Sequence, residues 1–186
     1  MIGGLAVIAG LWRRLRGDRR GVSAVEFALI APALIACYFG LAEMCGALMA
    51  ERKVSHIASA IGDLVAQGTT INTAGITDIW TVANTLMAPM PTTSLTLRVS
   101  SITADPTTGK TSIAWTKSQG TWSGTNASPS ATVPSGIVAA GGSVILSEAS
   151  YTYTSPVSDF IPVPMSFYEK FYLAPRQSAS VTWTTP

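Results

Sequence analysis

The residues best placed for chemistry lie in RGVSAVEF, residues 20–27, where Glu26 follows Gly21 by five positions and Phe27 opens an apolar run. A charged side chain near the centre of a bilayer costs roughly 2.5–3.5 kcal/mol on insertion scales, so a carboxylate kept in such a place usually carries a function. Glu26 has no partner group at catalytic spacing. Taken alone, a glutamate near a membrane boundary can simply sit in the headgroup region and snorkel.

Elsewhere the reactive residue types do not assemble into a site. The single histidine, His56, has neither cysteines nor carboxylates at ligand spacing, so no zinc centre is expected. It also lacks the partners of a Ser-His-Asp arrangement, its nearest acids being in its own helix. GGLAVIAG (3–10) has glycines but no strand–helix context and no lysine–serine ending, which excludes a phosphate loop. The acids Asp78, Asp105, Glu148, Asp159 and Glu169 are scattered, unlike the clustered oxygen ligands of a calcium site. Cys37 and Cys45 are eight residues apart on one helix, about 12 Å along its axis, too far for an intrachain disulfide. No metal, cofactor, small-molecule substrate or enzymatic activity is expected. Among the aromatics, Trp122 stands apart because it lies in a Gly/Ser-rich stretch, where it is a candidate contact for a surface or a partner.

These residues must be positioned by elements, and composition bounds what the elements can be. The 186 residues are 47% hydrophobic and only 12% charged, against about 25% charged in an average soluble domain. This favours a membrane-attached or exported protein. Arg13, Arg14, Arg16, Arg19 and Arg20 crowd into a short basic cluster, while the chain beyond residue 20 is slightly acidic. The cluster is therefore an address and not the footprint of a nucleic-acid-binding body. Residues 1–12 are apolar but too short to span a bilayer.

Phe27–Ala42 is free of charge, and with MCGALMA beyond Glu43 it reaches spanning length. The arginines before it predict a cytoplasmic N-terminus by the positive-inside rule. Glu43 could face a seam of Gly40, Ala42, Gly46 and Ala47, or mark the outer interface; Glu51, Arg52 and Lys53 nearby favour the second. Val54, Ile57, Ala58, Ile61, Leu64 and Val65 then recur at helical spacing, so one helix is predicted from about Ser23 to Gln67, apolar all round and then amphipathic. Pro32 falls inside it and Gly68 closes it.

A second helix is predicted from about Ala74 to Ala88, ended by Pro89 and Pro91. Beyond it the period becomes alternating, and 94–103, 110–118, 142–154 and 178–185 read as strands. Residues 119–136 and 155–170 read as loops, the first a long surface loop. The expected fold is α+β: a long N-terminal transmembrane and amphipathic helix, a second short helix, and a small antiparallel sheet packed on the long helix. The expected divisions are a basic leader (1–21), a transmembrane helix (22–50), the helix extension with the second helix (51–92) and an extracytoplasmic β-rich domain (93–186).

The order of basic leader, glycine, four residues, glutamate, phenylalanine, spanning helix and outer domain resembles a type IV prepilin. RRGVSAVEFALIAPALI resembles the TadE-like minor pilins, or pseudopilins, of tight-adherence (Tad/Flp) systems. DLVAQ (63–67) and LAPRQS (173–178) also look similar to that family, less specifically. The resemblance implies a pilin-like fold and cleavage by a prepilin peptidase at the Gly21–Val22 bond, with Glu26 and Phe27 serving filament register and assembly. The partners it implies are that peptidase, a major Flp-type pilin, other minor pilins and the inner-membrane assembly platform. The expected location is the inner membrane, single-pass, with the C-terminal domain periplasmic or carried into a surface pilus used in adhesion. A secretion-system pseudopilin and an uncleaved membrane-anchored binding domain are the alternatives.

Overall fold

The computed structural model describes residues 21–155 and 164–185. The basic leader with its arginines, the apolar residues 1–12 and Asp159 lie outside them. The described chain falls into two units that meet in sequence at Cys45 and Gly46.

The first unit is the beginning of helix α1, which runs Val22–Ala66, within about a residue of the predicted bounds. From Val22 to Cys45 its large apolar side chains stand exposed, among them Phe27, Leu29, Leu34, Tyr38 and Leu41. A helix apolar all round keeps a large apolar surface in water unless lipid or another chain covers it. Among the described residues, α1 is the helix long and apolar enough to cross a membrane. Pro32 sits within it; in water an interior proline costs about 3 kcal/mol, whereas membrane helices tolerate it.

In the second unit, α1 from Gly46 onward becomes amphipathic. Val54, Ile57, Ala58, Ile61 and Val65 form a fully buried stripe. After β1 (Thr70–Ile71) comes α2 (Thr73–Met87), where Asn72 accepts from the Gly75 amide at 2.9 Å and so caps the first turn. At its other end Lys53 donates to the Leu86 and Ala88 carbonyls at 3.0 and 2.7 Å, satisfying helix-end acceptors from a neighbouring helix.

Four strands follow, β2 (Thr96–Ala104), β3 (Thr111–Gln119), β4 (Ser143–Tyr153) and β5 (Met165–Leu173). They form an antiparallel sheet in the order β3-β2-β4-β5. One face presents Leu97, Val99, Ile145, Ala149 and Tyr151 to the same core as the α1 stripe. There the helix lies close, because Ser147 donates to the Ala58 carbonyl at 2.6 Å and Gly62 faces Leu173. A Cβ on Gly62 would stand 2.5 Å from Leu173 Cδ1 and 2.8 Å from Ser147 Cβ. Gly62→Val is therefore expected to cost about 1–3 kcal/mol by overpacking, measured as a lower denaturation midpoint of the full-length protein in detergent.

Two expectations need correction. The sheet's fourth strand is Met165–Leu173, in the stretch assigned to a loop, and not 178–185. Prolines upstream obscured it, and its alternation is hidden because both faces are aromatic: Phe167 and Phe171 on one, Tyr168 and Tyr172 on the other. Of 178–185 only β6 (Thr182–Trp183) is strand, paired in parallel with β1. The segment 120–142 is also more than a surface loop. Val133 and Val138 pack on Ile102, Val144 and Leu146, roofing the sheet face opposite α1.

Candidate functional site

Gly21 directly precedes α1, and Val22 is the helix's first residue, about half exposed. Glu26 is exposed and lies four residues on, so it shares a helix face with Val22 one turn away, about 6 Å along the axis. Phe27 is 70% exposed. A helix N-terminus carries a partial positive charge, which a free α-amino group there would intensify and a nearby carboxylate would relieve. Space around Gly21 is open, with nothing within 4 Å of a hypothetical Cβ. A Cβ at position 21 therefore meets nothing in the described chain.

In the second unit the structure brings together groups that spacing alone left apart. Arg98 on β2 stands opposite Glu148 on β4, and both are buried beneath the 120–142 roof. The guanidinium grips the carboxylate with two bonds, Nε to Oε2 at 2.6 Å and Nη2 to Oε1 at 2.7 Å, while Nη1 donates to the Asn126 carbonyl at 2.8 Å. Trp122 lies over the guanidinium at 4.2 Å, donates its indole N–H to the Leu97 carbonyl at 3.3 Å, and meets Tyr168 edge-on. Trp122, expected in an open loop, is thus half-buried and held by three neighbours. The signal for the pair was present in the sequence as one charge inside each of two apolar strands, LTLRVSS and VILSEAS.

Tyr168 donates to Glu148 Oε1 at 2.6 Å. Burial first, and then this bond to a carboxylate, holds the phenol proton and pushes its pKa well above the usual 10. Burial raises Tyr151 as well. A raised folded-state pKa contributes stability that is present below about pH 10 and is lost as pH climbs toward the folded value. The melting temperature is expected to fall above about pH 10, and less steeply in Tyr168→Phe, where only the Tyr151 contribution remains.

The two short motifs of the outer region also meet. Arg176 pairs with Asp63, which accepts from Gln67 as well, at 2.7 Å, and the Arg176 amide donates to the Ala66 carbonyl at 2.9 Å. LAPRQS thereby closes on DLVAQ at the end of α1. Among the described residues no group of three or more His, Cys, Asp or Glu could hold a metal ion.

No curated protein and no solved structure matches the chain. The family model described as TadE-like protein matches residues 21–62, from the glycine that precedes α1 to the glycine that seats it on the sheet. Over that stretch the chain is similar to TadE-like proteins, in keeping with the resemblance of RRGVSAVEFALIAPALI.

Proposed function

We propose that this chain is a minor pilin or pseudopilin of a Tad-type pilus, cut by a prepilin peptidase after Gly21 and anchored by α1. The carrying observation is that the TadE-like match opens on Gly21, with Val22 beginning a long exposed apolar helix and Glu26 one turn further on. Cutting the Gly21–Val22 bond creates a charged amine at the head of α1, and Glu26 is the nearest residue on that face able to neutralise it. In a filament the same carboxylate serves the amine of a neighbour and so fixes the axial offset of adjacent helices. The outer domain then stays outside the membrane, as a subunit that primes or tips the fibre alongside a major Flp-type pilin and the inner-membrane platform.

The test is the intact mass of the membrane-extracted protein, with and without the peptidase. A peptidase-dependent product beginning at Val22 supports the assignment. Because a side chain at position 21 meets open space, Gly21→Trp is expected to fold normally yet remain uncut. Retention of residues 1–21 by the native protein in both samples would make it an ordinary signal anchor.

A further inference from the structure

Between the start of the 120–142 roof and the end of the sheet lies a recess of about 140 Å³, separate from the N-terminal helix. This is well below the roughly 300 Å³ at which drug-sized and cofactor sites begin, so it suits a single small ring. Its one aromatic wall is Trp122, already fixed by Leu97, Arg98 and Tyr168. A ring held in place before binding loses no rotamer freedom when a ligand stacks on it.

The rest of the lining is hydroxyl and amide. Ser94 and Thr96 donate to the Thr152 and Ser150 carbonyls at 2.7 and 3.4 Å, and Ser94 also meets the Tyr151 hydroxyl. Thr121, Ser123, Ser150 and Asn126 also line it, and their side-chain hydroxyl and amide groups are available to a ligand. Each offers both a donor and an acceptor. No charged residue lines the recess, because the nearest charges, Arg98 and Glu148, are paired with each other beneath Trp122. An apolar platform beside several donor–acceptor groups, with no net charge, is the complement of a pyranose ring. Such a ring has one C–H face and a rim of hydroxyls.

We propose that this recess binds a neutral monosaccharide unit, the sugar stacking on Trp122 and exchanging hydrogen bonds with Asn126, Ser150 and Thr121. The test uses the full-length protein in a detergent without a sugar headgroup. Glucose, galactose, mannose, rhamnose and N-acetylglucosamine are titrated through the millimolar range by saturation-transfer NMR and tryptophan fluorescence. At least one sugar is expected to saturate, with transfer to its C–H face, and the Asn126→Ala/Ser150→Ala double variant to weaken it at least tenfold. That variant leaves the ion pair and the Trp122 contacts in place, since Arg98 uses the Asn126 backbone carbonyl and not its side chain. Trp122→Leu should abolish the signal, its fold being checked by thermal melting. Absence of saturable binding across the sugars, equal binding by the double variant, or a response to inorganic phosphate instead would overturn the proposal.

Discussion

Glu148→Ala is expected to cost about 3–5 kcal/mol of stability in the sheet-bearing unit, because it leaves a buried guanidinium without its anion. Domains of this size hold about 5–15 kcal/mol in total, so the variant sits near the edge of folding. Arg98 would keep only the Asn126 carbonyl and the face of Trp122. The loss is a desolvation penalty and not the net worth of the pair. Arg98→Met with Glu148→Leu should therefore recover most of it, since replacing both charges by apolar groups of similar volume is often near neutral. Denaturant unfolding of the full-length protein in detergent, followed by tryptophan fluorescence, measures both. A single variant costing under about 1 kcal/mol would mean that water reaches the pair.

The second large effect concerns Glu26. Under the proposed processing, Glu26→Ala leaves the Gly21–Val22 bond and the spanning helix unchanged, so the mature mass should appear at the normal rate. Incorporation into sheared fibres should fall at least tenfold. At about 4 Å and an effective dielectric constant near 20, the amine–carboxylate attraction is about 4 kcal/mol, and its loss strands the amine at the membrane boundary. Glu26→Gln separates charge from hydrogen bonding: it should behave like alanine if neutralisation sets the register. Normal incorporation of either variant would refute that role. Defective processing would instead place Glu26 within what the peptidase reads.

The helical part of the chain was legible because its signals are local. A charge-free run beginning at Phe27, a three-and-four spacing from Val54 to Val65 and the punctuation of Gly68 and Pro89 each act within a few turns. The α+β class followed from the change of period near residue 94. The fourth strand was not legible, because a strand flanked by prolines and aromatic on both faces has no period-two contrast. Its second aromatic face makes sense only once Tyr168 meets Glu148 and Tyr172 lies under the roof. The roof was missed for a related reason. Val133 and Val138 are isolated in a polar stretch, and nothing near them in sequence announces Ile102 or Leu146 as their neighbours. At the N-terminus, Gly21, Val22, Glu26 and Phe27 were singled out by their spacing together with the family resemblance. The Arg98–Glu148 clasp, spanning fifty positions, needed the sheet register.

The pairing of β6 with β1 has a consequence for the order in which this protein can be made. Ile71, just past the long helix, is matched by Trp183, which follows every strand of the four-stranded sheet. The apolar stripe from Val54 to Val65 is synthesised before any strand that will cover it, and Arg176 cannot close on Asp63 until the whole sheet has emerged. The second unit therefore cannot close progressively: its longest-range contacts, β1 with β6 and Asp63 with Arg176, wait for residues that follow all four strands of the sheet. During that interval the nascent stripe is an exposed apolar surface. A chain cut before Arg176 would keep the four-stranded sheet but could make neither closing contact, leaving the end of the stripe open to proteolysis.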